Sequence, residues 1–234
     1  MKKTIILFAL LLMMQTNFAT DFHFGFRASP TVGWFGQVTG PSDAPLSSNG
    51  IKLGFAYGLM LDFGFTSNYS LTSGLDIAYR TGKLKYTYSD FEYSSVYSKS
   101  YSMEYIEIPL TLKLKTNEIG YIRYFGQFGG SLNINIRAHA DYDSSVTTLV
   151  QTYQGTSTNN NVYSEINPIS MSMVIGGGIE YSLQGHTQLM VGLTYNNGFI
   201  DVLKDKDINT SKGTKTLNYS AITNYIALNV GIYF

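Results

Sequence analysis

In residues 51–65, IKLGFAYGLMLDFGF, each odd position is apolar: Ile51, Leu53, Phe55, Tyr57, Leu59, Leu61, Phe63 and Phe65. Between them stand Lys52, Gly54, Ala56, Gly58, Met60, Asp62 and Gly64. A period of two places these sets on opposite faces of an extended strand. The same alternation recurs in eight segments, near 22–36, 51–65, 69–88, 100–116, 120–138, 168–183, 187–202 and 219–234. Each is long beside the roughly 5 to 6 residues of an ordinary strand, and residues 22 onward contain no convincing amphipathic helix.

The connections alternate as well. Segments 2–3, 4–5 and 6–7 are joined by short turns around TSN, TNEI and QGH, whereas the other four connections are longer or more polar, as in QVTGPSDAPLSSNG. Short turns at one end, long loops at the other and an even strand count define an antiparallel up-and-down barrel spanning an outer membrane, with both chain ends on the periplasmic side. The fold expected is therefore all-β: an eight-stranded transmembrane barrel forming one domain, residues 21–234.

A soluble barrel with its apolar face turned inward is the structural rival. The other face should then be charged, but here it is rich in Gly, Ala, Ser and Asn, and the chain is only 14 % charged with zero net charge. Small residues suit a narrow lumen instead. Tyr69 and Tyr79 share the apolar face of segment 3, and ten residues at about 3.3 Å, tilted roughly 40°, rise about 25 Å, the height of an apolar band. They mark its two edges. Phe24, Phe63, Tyr124, Tyr181 and Phe234 are expected with Tyr69 in the lower aromatic girdle, and Trp34 and Tyr195 near the upper one.

Residues 1–20, MKKTIILFALLLMMQTNFAT, have a basic start, an apolar run from Ile5 to Met14 and small residues near Ala19. This is the layout of a cleavable signal peptide, and the apolar run is too short for a membrane-spanning helix. Without cysteine, no disulfide braces the exported chain.

The non-apolar face assigns Arg27, Lys52, Asp62, Asp76, Arg80, Glu107, Lys113, Arg123, Arg137 and Glu180 to the lumen. An eight-stranded barrel is just wide enough for side chains to fill, so these mixed charges are expected to form an ion network that plugs it. A hydrated, unpaired lumen and a narrow solute channel are the alternatives.

Catalytic and cofactor signatures are absent: there is no cysteine nucleophile, no G-x-S-x-G elbow and no phosphate loop. His139, Asp141 and Asp143 in HADYD are the one acid–base grouping, and a rim hydrolase acting on lipid or peptide is the alternative function it suggests. No cofactor or metal is expected, and no basic stripe points to nucleic acid. The run KYTYSDFEYSSVYSKSYSMEY, residues 85–105, interleaves tyrosine and serine as binding surfaces do. An extended hairpin braced by cross-strand tyrosine pairs explains it more simply.

The stretch YIEIPLTLKLK, residues 105–115, resembles the Y-(I/L)-E-(I/L)-P-(L/I)-x-(L/I)-K signature of the PorT-like outer-membrane β-barrel proteins of Bacteroidota, through Tyr105, Glu107, Pro109 and Lys113. The resemblance implies an exported barrel with a porin-like or accessory role, in one member within a secretion apparatus. It implies no catalytic residue. Pro109 falls on the lumen side, and counting across the turn places it near Gln127. The closing segment ends on Phe234, similar to the signal read by the barrel assembly machinery. Outer-membrane lipid, that machinery and an unidentified envelope protein are the expected partners, with a structural or binding role carried by the extracellular loops.

Overall fold

A computed structural model describes residues 21–40, 45–89, 93–148, 151–183, 185–210, 213–217 and 219–234. The expected signal peptide, residues 1–20, lies outside the described residues. In chain order the strands are β1 (Asp21–Thr39), β2 (Leu46–Ser48), β3 (Lys52–Thr66), β4 (Tyr69–Ser89), β5 (Tyr93–Lys115), β6 (Ile122–Thr148), β7 (Thr152–Asn161), β8 (Ile169–Ser182), β9 (Gln188–Gly198), β10 (Lys206–Thr210), β11 (Gly213–Leu217) and β12 (Ser220–Tyr233). A single 3-10 turn, Tyr163–Glu165, lies between β7 and β8.

Eight of these strands close a ring in the order β4-β3-β1-β12-β9-β8-β6-β5, with β5 pairing back to β4. Every pairing is antiparallel, and closure is made by β1 on β12, from Gly25 opposite Tyr233 to Thr39 opposite Ser220. The ring leaves no unpaired edge at membrane depth, as a hydrocarbon surround demands.

The large apolar side chains face outward. Phe26, Phe128, Leu110, Leu193 and Ile175 are each more than half exposed, whereas Asp62, Asp76, Arg80, Glu107, Lys113 and Glu180 are buried inside the ring. This polarity is inside-out for a soluble barrel and fits lipid as the surrounding solvent. Phe24, Tyr69, Tyr124, Tyr181 and Phe234 are exposed at the end carrying the short turns, and Trp34 stacks on Tyr195 at 6.3 Å on the outer half. Tyr57 and Tyr79 stack beside each other at 6.5 Å.

At the outer end β4, β5 and β6 run on past their neighbours. The β3–β4 ladder stops at Phe55 opposite Tyr79, yet β4 and β5 stay paired up to Ser89 opposite Ser94, with Tyr86 opposite Tyr97. β2 and β7 flank this extension. The sequence stops β6 near residue 138, because alternation fades there; polar cross-strand pairing carries it on to Thr148.

Two register features correct sequence counts. Pro109 lies opposite Ser131, not Gln127. The β5–β6 turn is wider than its four-residue core suggests, with Thr116 N–H bonded to Tyr124 at 2.8 Å and Ile119 bridging Ile122. Higher up, Glu104 pairs with Arg137 while Tyr105 pairs with Asn135, so Ile136 and Arg137 together oppose one residue. That bulge lies at the level of Tyr79, which faces Glu104, where the strands leave the upper girdle.

Candidate functional site: lumen and outer vestibule

The inward positions of YIEIPLTLKLK are Tyr105, Glu107, Pro109, Thr111 and Lys113, all buried; Ile106, Ile108, Leu110, Leu112 and Leu114 alternate with them on the lipid face. The sequence motif is therefore a lumen motif. The β4–β5 ladder runs to Ser73 opposite Leu110 and resumes at Asp76 opposite Glu107, so it lapses where proline offers no N–H. Beside the lapse the hydroxyl of Ser73, on the outward face, donates to the Pro109 carbonyl at 2.9 Å.

Charges inside the ring meet in three groups. Nearest the periplasmic end, the Lys113 ammonium donates to Glu180 at 2.8 Å and to the Tyr233 hydroxyl at 3.1 Å. It lies 3.5 Å from Asp62. Lys115 donates to Asp62 at 2.7 Å and lies 3.4 Å from Glu180. The Phe125 ring fills the space beside them by lying across Gly178 and Gly192, where any Cβ would come within about 3 Å of it. At mid-depth Arg27 grips Asp76, with Nε to Oδ1 at 3.0 Å and the second nitrogen on Oδ2. Above it Arg80 pairs with Glu107 and stacks 3.5 Å over the Tyr225 ring, and the Tyr225 hydroxyl donates to both Glu107 oxygens at 2.9 and 3.1 Å.

Four cations and four carboxylates thus share the lumen. Such charges persist away from water only when paired and hydrogen-bonded. Spaces of about 30, 20 and 10 Å³ remain between them, room for a water or two each. Arg80 Nη1 has no protein partner and borders two of these spaces.

Of the residues assigned to the lumen, Arg27, Asp62, Asp76, Arg80, Glu107, Lys113 and Glu180 are there. Two are not. Arg137 is 69 % exposed and 3.6 Å from Glu104 on the outer face, because the bulge at Ile136 shifts the alternation. Arg123 pairs at 3.0 Å with Glu118 of the adjoining turn, both about one-third exposed; it stands at the start of β6, within reach of water. Lys52 is half-buried at the outer end of β3, with no ion pair among the described residues. His139 pairs with Ser102 and Asn161 across its neighbouring strands, and the Asp141 carboxylate accepts from the Asn159 N–H at 2.8 Å. No hydrogen bond joins His139 to either carboxylate among the described residues.

Sequence reasoning missed Lys115, Tyr225 and Tyr233 as members of the network, although all three hold the inward parity of their strands. It also missed the floor above the network. Val162, Ile166, Val202 and Leu203, from the two long outer connections, are buried against Tyr105, Met103, Leu84 and Phe35. Ile166 bridges Leu203, Lys204 N–H bonds Glu165 at 2.9 Å, and the Asn167 amide donates to the Asp201 carbonyl at 2.7 Å. These loops fold into the barrel mouth and close it.

Above that floor opens a vestibule of about 690 Å³. Tyr86, Tyr97, Tyr101, Tyr142 and Tyr219 line it with Lys99 and Glu165. Lys99 pairs with Glu165, its ammonium 4.7 Å from the Tyr101 ring centre and 4.6 Å from that of Tyr142. The Tyr101 ring also meets Phe35 edge-on at 5.7 Å, which anchors it to the floor. Burial pushes the Tyr86 phenol up to about 12. Three of the five tyrosines come from the run at residues 85–105, where the sequence pointed to a recognition surface or a braced hairpin; the structure shows the hairpin, with Tyr86 opposite Tyr97, and turns these tyrosines to the vestibule.

A closed eight-stranded ring, apolar outside, charged and filled inside, with short turns at one end and long connections at the other, is an integral outer-membrane β-barrel protein. The sequence matches the family described as the outer membrane protein beta-barrel domain over residues 13–204, and the chain belongs to that family. No curated protein matches it. Among solved structures it is similar to the outer membrane protein OprG of Pseudomonas aeruginosa, at 9 % identity over 92 % of this chain and 97 % of that one, with a TM-score of 0.47. It is likewise similar to Neisserial surface protein A, at 12 % identity over 91 % and 97 % with a TM-score of 0.38. A third is Ail of Yersinia pestis, at 9 % identity over 91 % and 98 % with a TM-score of 0.33.

Proposed function

We propose that this barrel is a recognition protein of the outer membrane, which holds a ligand at its outer mouth and passes no solute through its wall or lumen. The observation that carries the reading is the contrast in space along one axis: a vestibule of about 690 Å³ above a lumen whose spaces are 10 to 30 Å³. Small-molecule sites run to roughly 300–1,000 Å³, so the vestibule has the size of a site and the lumen that of a packed core. Tyrosine supplies contact area with little entropy loss, and a floor braced by Ile166 and Leu203 keeps the rings in place.

A narrower placement among the PorT-like barrels of Bacteroidota is supported by residues 105–115, and an accessory role in an envelope complex accords with it. Because the lumen-facing residues of that stretch serve closure, the likeness speaks to a shared way of filling the barrel.

Planar-bilayer recording tests the closed lumen. The purified barrel should give no steady conductance above the bare bilayer, and a large steady conductance would overturn the reading.

A further inference from the structure

The ligand's chemistry can be inferred from the vestibule, on the reading of it as the binding site. Charge narrows the choice first. The cavity borders two lysines, Lys99 and Lys204, and two carboxylates, Glu165 and Asp205. Lys99 is 5 % exposed and already occupies the π faces of Tyr101 and Tyr142 while paired with Glu165. A cationic ligand seeking those faces must evict Lys99; an anionic one must compete with Glu165 for Lys99 or settle for Lys204, an exposed lysine whose attraction water screens. Asp205 is engaged as well, accepting from the Tyr219 N–H at 3.2 Å. Among the described residues the two lysines and two carboxylates balance, and net charge on a ligand gains little there.

Polarity narrows it further. Thr87 and Ser164 join the phenol groups around the cavity, and a wholly apolar ligand would cover these groups without offering them a hydrogen bond, which costs it affinity for each group left unsatisfied. The remaining chemistry is a neutral molecule with flat C–H faces and hydroxyl edges. Tyr86 and Tyr97 face each other across β4 and β5, and Tyr86 meets Tyr219 edge-on at 6.5 Å, so flat faces and hydroxyls alternate around the wall.

We infer that the vestibule binds a neutral oligosaccharide of roughly two or three sugar rings, the length that a cavity in the small-molecule range admits. Its pyranose faces stack on tyrosine and its hydroxyls bond the phenols and the Lys99–Glu165 pair.

The test uses the full chain in phosphatidylcholine nanodiscs, which contain no glycolipid, titrated calorimetrically with maltotriose, cellotriose, mannotriose and triacetylchitotriose. Choline, 1-naphthol and trilysine serve as cationic, apolar and peptide probes. At least one trisaccharide should bind saturably, about tenfold more weakly in Tyr97→Ala and Tyr142→Ala, with Tyr97→Phe retaining most of the affinity and Tyr153→Ala, which lies outside the cavity, unchanged. Heat-modifiable migration on gels verifies that each variant is folded. Saturable binding of choline, naphthol or trilysine with the same tyrosine dependence, and silence of every sugar, overturns the saccharide assignment but leaves the vestibule a binding site. No binding by any probe, or binding indifferent to both alanine variants, overturns both.

Discussion

Ser73 and Pro109 are joined across the lapse in the β4–β5 ladder, the serine hydroxyl donating to the proline carbonyl at 2.9 Å. The hydroxyl lies on the face that meets lipid, where no water would satisfy it. On its other side the proline ring borders the 30 Å³ space beside Arg27 and Glu107. The irregularity is thus sealed outside and tolerated inside.

Replacing Pro109 by alanine should change stability by no more than about 1 kcal/mol. The regained N–H contributes about 0.5–1.5 kcal/mol if it finds its ladder partner, and the loosened unfolded chain offsets about 0.4–1 kcal/mol of that. Urea unfolding in lipid vesicles measures the balance. A loss above about 2 kcal/mol would show that the ring itself is a packing element of the lumen.

Arg80 and Glu107 should behave as a unit. Arg80→Met leaves Glu107 buried with only the Tyr225 hydroxyl, and removal of one partner of a buried pair costs about 3–5 kcal/mol. Adding Glu107→Leu should recover most of the loss, since two apolar groups replace two charges. A double-mutant cycle in the same unfolding assay decides; simple additivity would mean that the pair is not coupled.

Phe234 offers two separable roles. Its N–H bonds the Phe24 carbonyl at 2.8 Å and its ring lies 5.7 Å from Phe24 and 6.5 Å from Phe26. If the terminal aromatic is an assembly signal, deletion should cut the heat-modifiable barrel in native membranes several-fold, Phe234→Tyr should restore it, and refolding of the purified deletion variant into vesicles should be much less affected. Equal losses in the cell and in the purified system would reduce Phe234 to a packing residue.

Alkaline pH should act on the vestibule through Tyr86. Its folded pKa, about 12, stands above the ordinary value near 10 because burial disfavours phenolate. The stability that accompanies the neutral phenol is therefore fully present below about pH 10 and is lost as pH rises through about 12. Tyr86→Phe should make that decline shallower, as seen by tyrosine fluorescence or unfolding across this range.

The barrel was legible because alternation, turn length and girdle aromatics each report the same geometry. Seven lumen charges followed from parity alone. Arg137 did not, since an extra residue such as Ile136 inverts every later position and leaves no mark in the alternation until the pairing partner is known. Arg123 shows a different limit: parity gives the face, while position along the strand decides whether water reaches it. The vestibule was half visible. Tyr86, Tyr97 and Tyr101 stood out as a run, but Tyr142, Tyr219 and Glu165 come from segments whose approach depends on how the long connections fold back, and no local pattern encodes that.

The pairing of β1 with β12 has a kinetic consequence. Gly25 meets Tyr233 and Gly36 meets Ile222, contacts between the first and last strands of the sequence, and long-range pairing is slow to form. Until β12 has been delivered, β1 offers one open edge, and Lys113, Glu107 and Arg80 lack their Tyr233 and Tyr225 partners. A partly built barrel is then both adhesive and electrically unsatisfied, and the β1–β12 seam removes both conditions at once.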